Sequence, residues 1–325
     1  MGAACVLTAA LTLLPLSHSD SEDLAHAARH ITAAVPAKAG GCVNPEASLP
    51  PSHADGPAIR RIKERKRLIV GVDQNSYRWG YRDPASPGGS IEGFDIDLAH
   101  AIAANILGDP DAITFRAIPT NLRVQSLANG SVDLVVRTMT INCERLQQVA
   151  FSTAYFQAGQ QVLVPRDSHI TGYDNSLAGA RVCTAEGSTA YDKLLVNSYG
   201  AHFKDAHDDT PLDEDRVTVP NQLDCLVRLQ LGEVDAVVTD NALAAGQAAQ
   251  DPAVELRGDP FTTEYYGVAA RLGNDDLVRR VNEVLVGYRA GGSNSPWMKS
   301  YRKWLEDGLP GITGPPEPTY RSDQS

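Results

Sequence analysis

The feature that most constrains this chain is a unit that occurs twice. Leu127-Ala-Asn-Gly130-Ser-Val132-Asp133-Leu-Val135-Val136 is matched, 102 residues later and without a gap, by Leu229-Gln-Leu-Gly232-Glu-Val234-Asp235-Ala-Val237-Val238. Each copy reads as a helix end, a glycine stop and a Val-rich strand. Upstream of the first copy, Arg67–Asp73 (RLIVGVD) is a short β-branched strand and Gly93-Phe94-Asp95 starts a helix with Asp95 as N-cap. Leu98, Ala99, Ile102, Ala103, Ile106 and Leu107 give that helix one apolar face, and Gly108 closes it. Ile113–Ile118 is a second strand, Leu122–Asn129 a short helix and Val132–Val136 a third strand. This βαβαβ order predicts an α/β fold with mostly parallel sheets flanked by helices. Two independent α/β units share such a pattern with two duplicated ones. Under duplication, polar residues end equivalent strands: Arg137, Thr138 and Thr140 in one lobe, Thr239 and Asp240 in the other. Ligands in open α/β sheets bind beyond the carboxyl ends of strands, so two facing lobes would line one cleft.

The ends of the chain read differently. Ala3–Leu16 is an apolar run of signal-peptide length, and Ser17 and Ser19 form a small-x-small cleavage site, although the usual positive segment before the run is missing. The expectation is a signal segment over 1–19 and an exported protein at the outer face of the cytoplasmic membrane. A buried N-terminal helix is the competing reading, and Gly2-Ala3-Ala4-Cys5 offers an awkwardly placed lipid-anchor site. Residues 20–59 read as a flexible tether by composition, and 309–325, with Pro310, Pro315, Pro316 and Pro318, as an extended arm. His26 and His30 have metal-ligand spacing on a helix but no third ligand nearby, which makes them a solvated pair. No apolar run approaches the roughly 18–20 residues of a membrane-spanning helix.

Function classes narrow quickly. Acidic residues outnumber basic ones, 40 to 29, giving a net charge of −11 and disfavouring a nucleic-acid binder. No Gly-x-Ser-x-Gly elbow, phosphate loop, dinucleotide fingerprint or Cys/His metal cluster is present, so no catalytic residue, metal or cofactor is expected. What the strand ends do offer suits a zwitterion. Arg145 has the planar fork that pairs with a carboxylate, though a surface arginine on a helix capped by Asn142 is the plain alternative. Gly187-Ser188-Thr189 opens a helix and can hold an anion or simply cap it. Asp240 can hold an ammonium group or cap the helix Asn241–Gln250.

Gly93-Phe94-Asp95-Ile96-Asp97-Leu98-Ala99, Thr138-Met-Thr140-Ile-Asn-Cys-Glu144-Arg145, Val149-Ala-Phe151-Ser152 and Tyr155-Phe156 together resemble the polar amino-acid family of bacterial extracellular solute-binding proteins. Val234-Asp235-Ala236-Val237-x-x-Asp240, Tyr266-Gly267-Val268 and Trp297-Met-x-x-Tyr301-x-x-Trp304 continue the likeness over about residues 60–306. The cysteine positions are similar to those of the actinobacterial glutamate/glutamine-binding lipoproteins of that family. The resemblance implies a two-lobed periplasmic-binding-protein clamp (type II) with two crossover strands, lobe 1 over 60–164 and 262–308 and lobe 2 over 165–261. It implies a monomer that closes on an amino acid and presents it to a membrane ABC permease, or alternatively to a signalling receptor; a dehydratase-like enzyme on the same fold is the remaining alternative.

Carried over by motif, Arg145 and Thr140 would hold the α-carboxylate, with Ser188 and Thr189 closing on it from lobe 2. Thr138 main-chain atoms and Asp240 would hold the α-amino group, and Tyr77 or Trp79 would serve as the pocket aromatic. A second cation, best supplied by Arg123 with Thr120 and less well by Arg78 or Arg137, would select an acidic side chain. Arg137 departs from the small residue common at its position. With export implying an oxidising compartment, four cysteines should pair. Cys183 and Cys225 share lobe 2, which leaves Cys42 for Cys143.

Overall fold

The structure, a computed structural model, describes residues 42–85, 88–204 and 217–322. The signal segment 1–19, the Cys5 site, the His26/His30 pair and most of the expected tether lie outside the described residues. The chain separates into Met1–Cys42 and Val43–Ser325, and the architecture below belongs to the second unit.

Among the described residues, two five-stranded sheets carry the fold, and they have the same plan. In the first, Ile113–Ala117, Leu68–Val72 and Leu134–Val135 run parallel, then Ala269–Arg271 runs antiparallel between Leu134–Val135 and Val149–Phe151. In the second, Thr218–Val219, Val182–Ala185 and Ala236–Asp240 run parallel, then Gln160–Pro165 runs antiparallel between Ala236–Asp240 and Val254–Arg257. The two Val-rich strands of the repeated unit therefore occupy the same third place. Each antiparallel fourth strand follows a segment arriving from the other lobe: Phe156–Ala158 leads into Gln160–Pro165, and Glu264–Tyr266 leads into Ala269–Arg271. A strand entered that way is free of the right-handed helical crossover that makes consecutive strands parallel. The two crossing segments pair with each other, Phe156 opposite Tyr266 and Ala158 opposite Glu264.

Both faces of each sheet are covered. In lobe 1, one face takes the helices Phe94–Leu107 and Asp275–Arg289, with Ile102, Ala103, Leu277 and Leu285 buried. The other face packs Leu127, Val135, Met139 and Phe151. In lobe 2, Val182, Leu194 and Val238 fill one face and Cys183, Leu226, Val237 and Val254 the other. The helix Phe94–Leu107 starts one residue before Asp95, which corrects the expected cap. Gly93 takes the cap position with φ 136°, where a Cβ would lie 2.3 Å from the Trp79 carbonyl oxygen, so only glycine fits. Asp95 falls in the first turn and is buried.

The expected tether is cut short by tertiary contacts. Ser48 is buried, donates to the Phe151 carbonyl at 2.6 Å and accepts from Asn282 Nδ2 at 2.9 Å. Asn282 also donates to the Leu49 carbonyl, and Ser52 N–H to Arg279. The C-terminal arm lies back along this segment, with Ser48 bridging Tyr320. Residues 43–56 are thus held against lobe 1, and the helix Pro57–Arg65 follows directly. Among the described residues no helix is long and apolar enough to cross a membrane.

Cys183 and Cys225 are joined, Cα to Cα 5.5 Å, tying the strand Val182–Ala185 to the helix Gln222–Gln230; Cys42 and Cys143 are each disulfide-bonded as well. The Cys183–Cys225 bond spans a sequence separation of 42 residues. Closing a loop of that length removes about 4 kcal/mol of unfolded-chain entropy. The Cys183→Ala/Cys225→Ala pair is expected to melt on the order of 10 °C lower. An unchanged melting temperature would mean that the loop is already restrained in the unfolded chain.

Candidate functional site

The carboxyl ends of the two sheets face each other across a cavity. Lobe 1 supplies Asp73 from the end of the first strand, Thr120 from the turn before the short helix Arg123–Ala128 and Arg123 from that helix's first residue, and Arg137, Thr138, Thr140 and Arg145 from the segment after Leu134–Val135. Lobe 2 supplies Ser188 and Thr189 at the start of the helix Thr189–Val196, Gln222 at the start of another, and Thr239 and Asp240 at a strand end.

Arg145 sits on a single 3-10 turn, Arg145–Gln147, whose first N–H donates to Asn142 Oδ1 at 2.8 Å. Glu144 holds the cap position, with Asn142 accepting from outside it, and Arg145 is buried instead of solvated. Its Nη1 donates to the Thr140 carbonyl at 2.8 Å and its Nη2 to the Gly187 carbonyl of lobe 2 at 3.1 Å. Arg123 reaches the same Gly187 carbonyl at 3.1 Å and holds the Thr120 carbonyl with Nε at 2.9 Å. Arg137 donates to Thr120 Oγ1 at 2.9 Å and pairs with Asp73 at 2.8 Å. Burial pushes the Arg145 guanidinium below its ordinary pKa, with Asp192 and Asp240 opposing. Burial and then the neighbouring Arg145 and Arg137 charges push Arg123 well down. Among the described residues lining the cavity, three guanidiniums meet the carboxylates of Asp73 and Asp240, while Asp192 and Glu264 act on Arg145 from beyond the lining.

The acidic side has its own support. Asp240 opens the helix Asn241–Gln250, yet its carboxylate caps nothing; it accepts from the Tyr266 hydroxyl at 2.5 Å. Burial, then the Glu264 charge, raises Asp240 to about 7. Glu264, outside the cavity lining, accepts from Thr189 Oγ1 at 3.0 Å and from Thr262 Oγ1 at 2.8 Å. Thr138 has φ 41°, a left-handed conformation costly for a β-branched residue. Asp95 holds it there: Oδ2 accepts the Thr138 N–H at 3.1 Å while Oδ1 accepts the Tyr155 hydroxyl at 2.7 Å. Burial raises Asp95 to about 7.

Contacts around the cavity join the lobes. Thr120 N–H donates to the Pro220 carbonyl at 3.0 Å, and Asn121 Nδ2 to Glu186 at 2.6 Å. Gly187 has φ 70°, and a Cβ there would come within 3.0 Å of Asn121 Cα, so the lobes meet with little room. The cavity is about 30 Å³. A water needs roughly 10–15 Å³, so with Arg123 and Arg145 both on the Gly187 carbonyl the cavity has room for two or three waters and no more.

Of the residues read from the sequence, Arg145, Thr140, Thr138, Asp240, Arg123, Thr120, Ser188 and Thr189 meet at this cavity. Ser188 is also a helix cap, accepting from Tyr191 N–H at 3.1 Å. Tyr77 and Trp79 are not brought to it, which corrects the pocket aromatic. Trp79 is buried among Phe94, Phe156 and Tyr266, and its Nε1 donates to the Ala242 carbonyl at 3.0 Å. Tyr77 lines a separate pocket with Arg78, against Ala245 and Gly246. Arg78 stands beside Tyr77 in that separate pocket and pairs with Asp307 at 3.6 Å, and the structure does not bring it to the cavity. Sequence reasoning missed Asp73 and Gln222. Asp73 ends the first strand as Asp240 ends its own, and the strand-end rule applied evenly finds it; Gln222 carries no such signal. Among the described residues no group of three or more His, Cys, Asp or Glu side chains is placed to hold a metal ion.

The model of the bacterial extracellular solute-binding proteins, family 3, matches residues 68–307. The chain belongs to this family. It is 34% identical over 249 residues to the ABC transporter glutamine-binding protein GlnH of Bacillus subtilis, covering 77% of this chain and 85% of that one. It is 27% identical over 249 residues to the glutamate-binding protein GluB of Corynebacterium efficiens, 73% and 79% covered. Among solved structures, an ancestral arginine-binding protein bound to glutamine matches with TM-score 0.64 at 33% identity, covering 74% of this chain and 98% of that one. The solute-binding chain is therefore a two-lobed clamp of the type II periplasmic binding fold, and the relatives it matches are named as amino-acid-binding proteins, that of Bacillus subtilis as one of an ABC transporter.

The Asp95 carboxyl carries a testable signature. Its folded pKa, about 7, lies above the 3.8 of an unfolded aspartate, so its contribution is fully present below about pH 4 and lost as pH rises through 7. Asp95→Asn keeps an acceptor for Thr138 and has nothing to ionise. Its melting temperature relative to the parent chain is expected to rise steadily between pH 4 and 7. A constant offset across that range would show that Asp95 does not titrate there.

Proposed function

We propose that this solute-binding protein captures an acidic amino acid, glutamate or aspartate ahead of asparagine and glutamine, and presents it to a membrane ABC permease. The observation that carries the reading is the charge of the cavity wall. Among the described residues it holds the guanidiniums of Arg123, Arg137 and Arg145 against the carboxylates of Asp73 and Asp240. Counted over the lining alone, three guanidiniums stand against two carboxylates, and a ligand of net charge −1 suits that wall better than a neutral zwitterion because an unpaired buried charge costs several kcal/mol.

In this reading Arg145 takes the α-carboxylate through parallel hydrogen bonds, exchanging the Gly187 carbonyl for it, and Thr140, Ser188 and Thr189 add donors around it. Asp240 takes the α-ammonium group, with the main chain of Thr138 beside it. Both lobes contribute to one zwitterion, so the ligand favours the shut arrangement by the difference in contacts. The distal carboxylate falls to the positive charge that Arg145 leaves on the wall.

Calorimetry with the four candidate amino acids tests the preference; a tenfold preference for glutamine over both acids would sink it. Arg145→Ala should weaken every ligand at least 100-fold with the fold intact, since the lost partner leaves a desolvated carboxylate costing about 3–5 kcal/mol. Affinity should also depend on pH. Asp240, raised to about 7, is protonated below that pH, and the ligand ammonium requires it ionised. Binding then releases a proton, and affinity falls toward tenfold per unit below pH 7. Asp240→Asn should flatten the profile while binding more weakly throughout.

A further inference from the structure

The three guanidiniums of the cavity are not equally committed. Arg123 uses Nε on Thr120, Nη2 on Gly187 and Nη1, at 3.4 Å, on the Arg137 carbonyl. Arg145 uses both terminal nitrogens on carbonyls of Thr140 and Gly187. Arg137 is 3% exposed, and its Nε is buried with no hydrogen-bond acceptor; Nη2 has only the ion pair with Asp73. A buried N–H left without an acceptor is costly unless something else is meant to accept from it.

Its partner is fixed independently. Asp73 is 6% exposed, Oδ1 accepts the N–H groups of Gln74 and Asn75 at 2.8 and 3.0 Å, and Oδ2 accepts Ser76 Oγ at 2.8 Å. The carboxylate is anchored by its own turn, at the end of the strand Leu68–Val72, and Arg137 is clamped between it and Thr120. Arg137 is therefore a rigid donor over a rigid anion, both on the cavity wall.

We propose that the Asp73–Arg137 pair is the element that selects the ligand's side chain. Arg137 donates to the distal oxygen acceptor, and by occupying Asp73 it hides a carboxylate that would otherwise attract a distal cation. Arg123 is then a positioning residue, holding Thr120 and Gly187. This inference rests on the cavity being the amino-acid site, and it makes a prediction the charge count alone does not. Removing the guanidinium uncovers Asp73 and reverses selectivity, from distal carboxylate toward distal ammonium, guanidinium or amide donor. Removing Asp73 leaves preference for acids in place or strengthens it.

The experiment is calorimetric titration of the full chain with glutamate, aspartate, glutamine, lysine and arginine. The proteins are the parent, Arg137→Ala, Asp73→Asn, Arg123→Met and the uncharged double variant Asp73→Asn/Arg137→Gln, each checked by thermal melting. The ratio of glutamate to lysine affinity is expected to fall at least 100-fold in Arg137→Ala, with lysine or arginine binding newly measurable. Asp73→Asn should keep or raise that ratio. The double variant, which removes the two opposite charges of the pair together and guards against failure of Arg137→Ala to fold, should bind glutamate and glutamine within about threefold of each other. The inference is overturned if the ratio is unchanged in Arg137→Ala, or if the double variant retains the parent's preference for acids. It is equally overturned if Arg123→Met alone abolishes that preference. A parent chain that binds glutamine and no acid refutes the acidic reading instead; the selectivity switch between glutamine and lysine then tests the pair.

Discussion

Positive charge buried between two separately folded sheets is the constraint on which this site depends. Arg123, Arg137 and Arg145 are each less than a tenth exposed, and each guanidinium is kept there by acceptors brought close to it. Some come from lobe 1, as with the carbonyls of Thr120 and Thr140, and one comes from lobe 2, the carbonyl of Gly187. The same hydrogen bonds that satisfy Arg123 and Arg145 therefore also draw the lobes together. A ligand carboxylate is a stronger acceptor than a carbonyl and can take over that role. In the proposed function, recognition and closure share one set of donors.

The topology makes such a site possible. Each lobe takes its fourth strand from a segment that has crossed from the other, and the two crossing segments pair as Phe156–Ala158 with Glu264–Tyr266. Tyr266 lies on one of them and donates to Asp240, so the acidic end of the cavity is tied to the crossing itself. The aromatic cluster of Trp79, Phe94, Phe156 and Tyr266 packs around the same point. Motion about a firmly packed crossing changes the gap between strand ends far more than it changes the packing at the crossing, which is how a hinge with a small repacking cost works.

Much of the site was legible because strand ends advertise themselves. Val-rich runs stopping at Thr138, Thr140 and Asp240 identify a polar mouth, and Asn142 three residues before Arg145 identifies a local turn. Errors came where a local rule had two tertiary outcomes. Asp95 has the chemistry of an N-cap, but the close approach of Trp79 to Gly93 fixes the cap two residues earlier and sends the Asp95 carboxylate inward to Thr138. Trp79 has the chemistry of a pocket aromatic, but its neighbours Phe156 and Tyr266 are supplied by distant crossing segments that no local reading can place. Residues 43–56 have the composition of a tether, yet Asn282 and Phe151 provide the acceptors and donors that pin Ser48.

By itself the sequence determined the periodicities: two α/β units with equivalent strands, the helix faces, the glycine stops, and the polar residue types waiting at the strand ends. Those follow from side-chain spacing and backbone sterics within a few residues, so they survive without knowledge of the rest of the chain. Only the tertiary structure decided which charges face which. Arg137 reads as one more strand-end arginine until Asp73, more than sixty residues earlier, is set 2.8 Å from it. Charge pairing depends on distance and burial through the fold, and neither is written in local spacing.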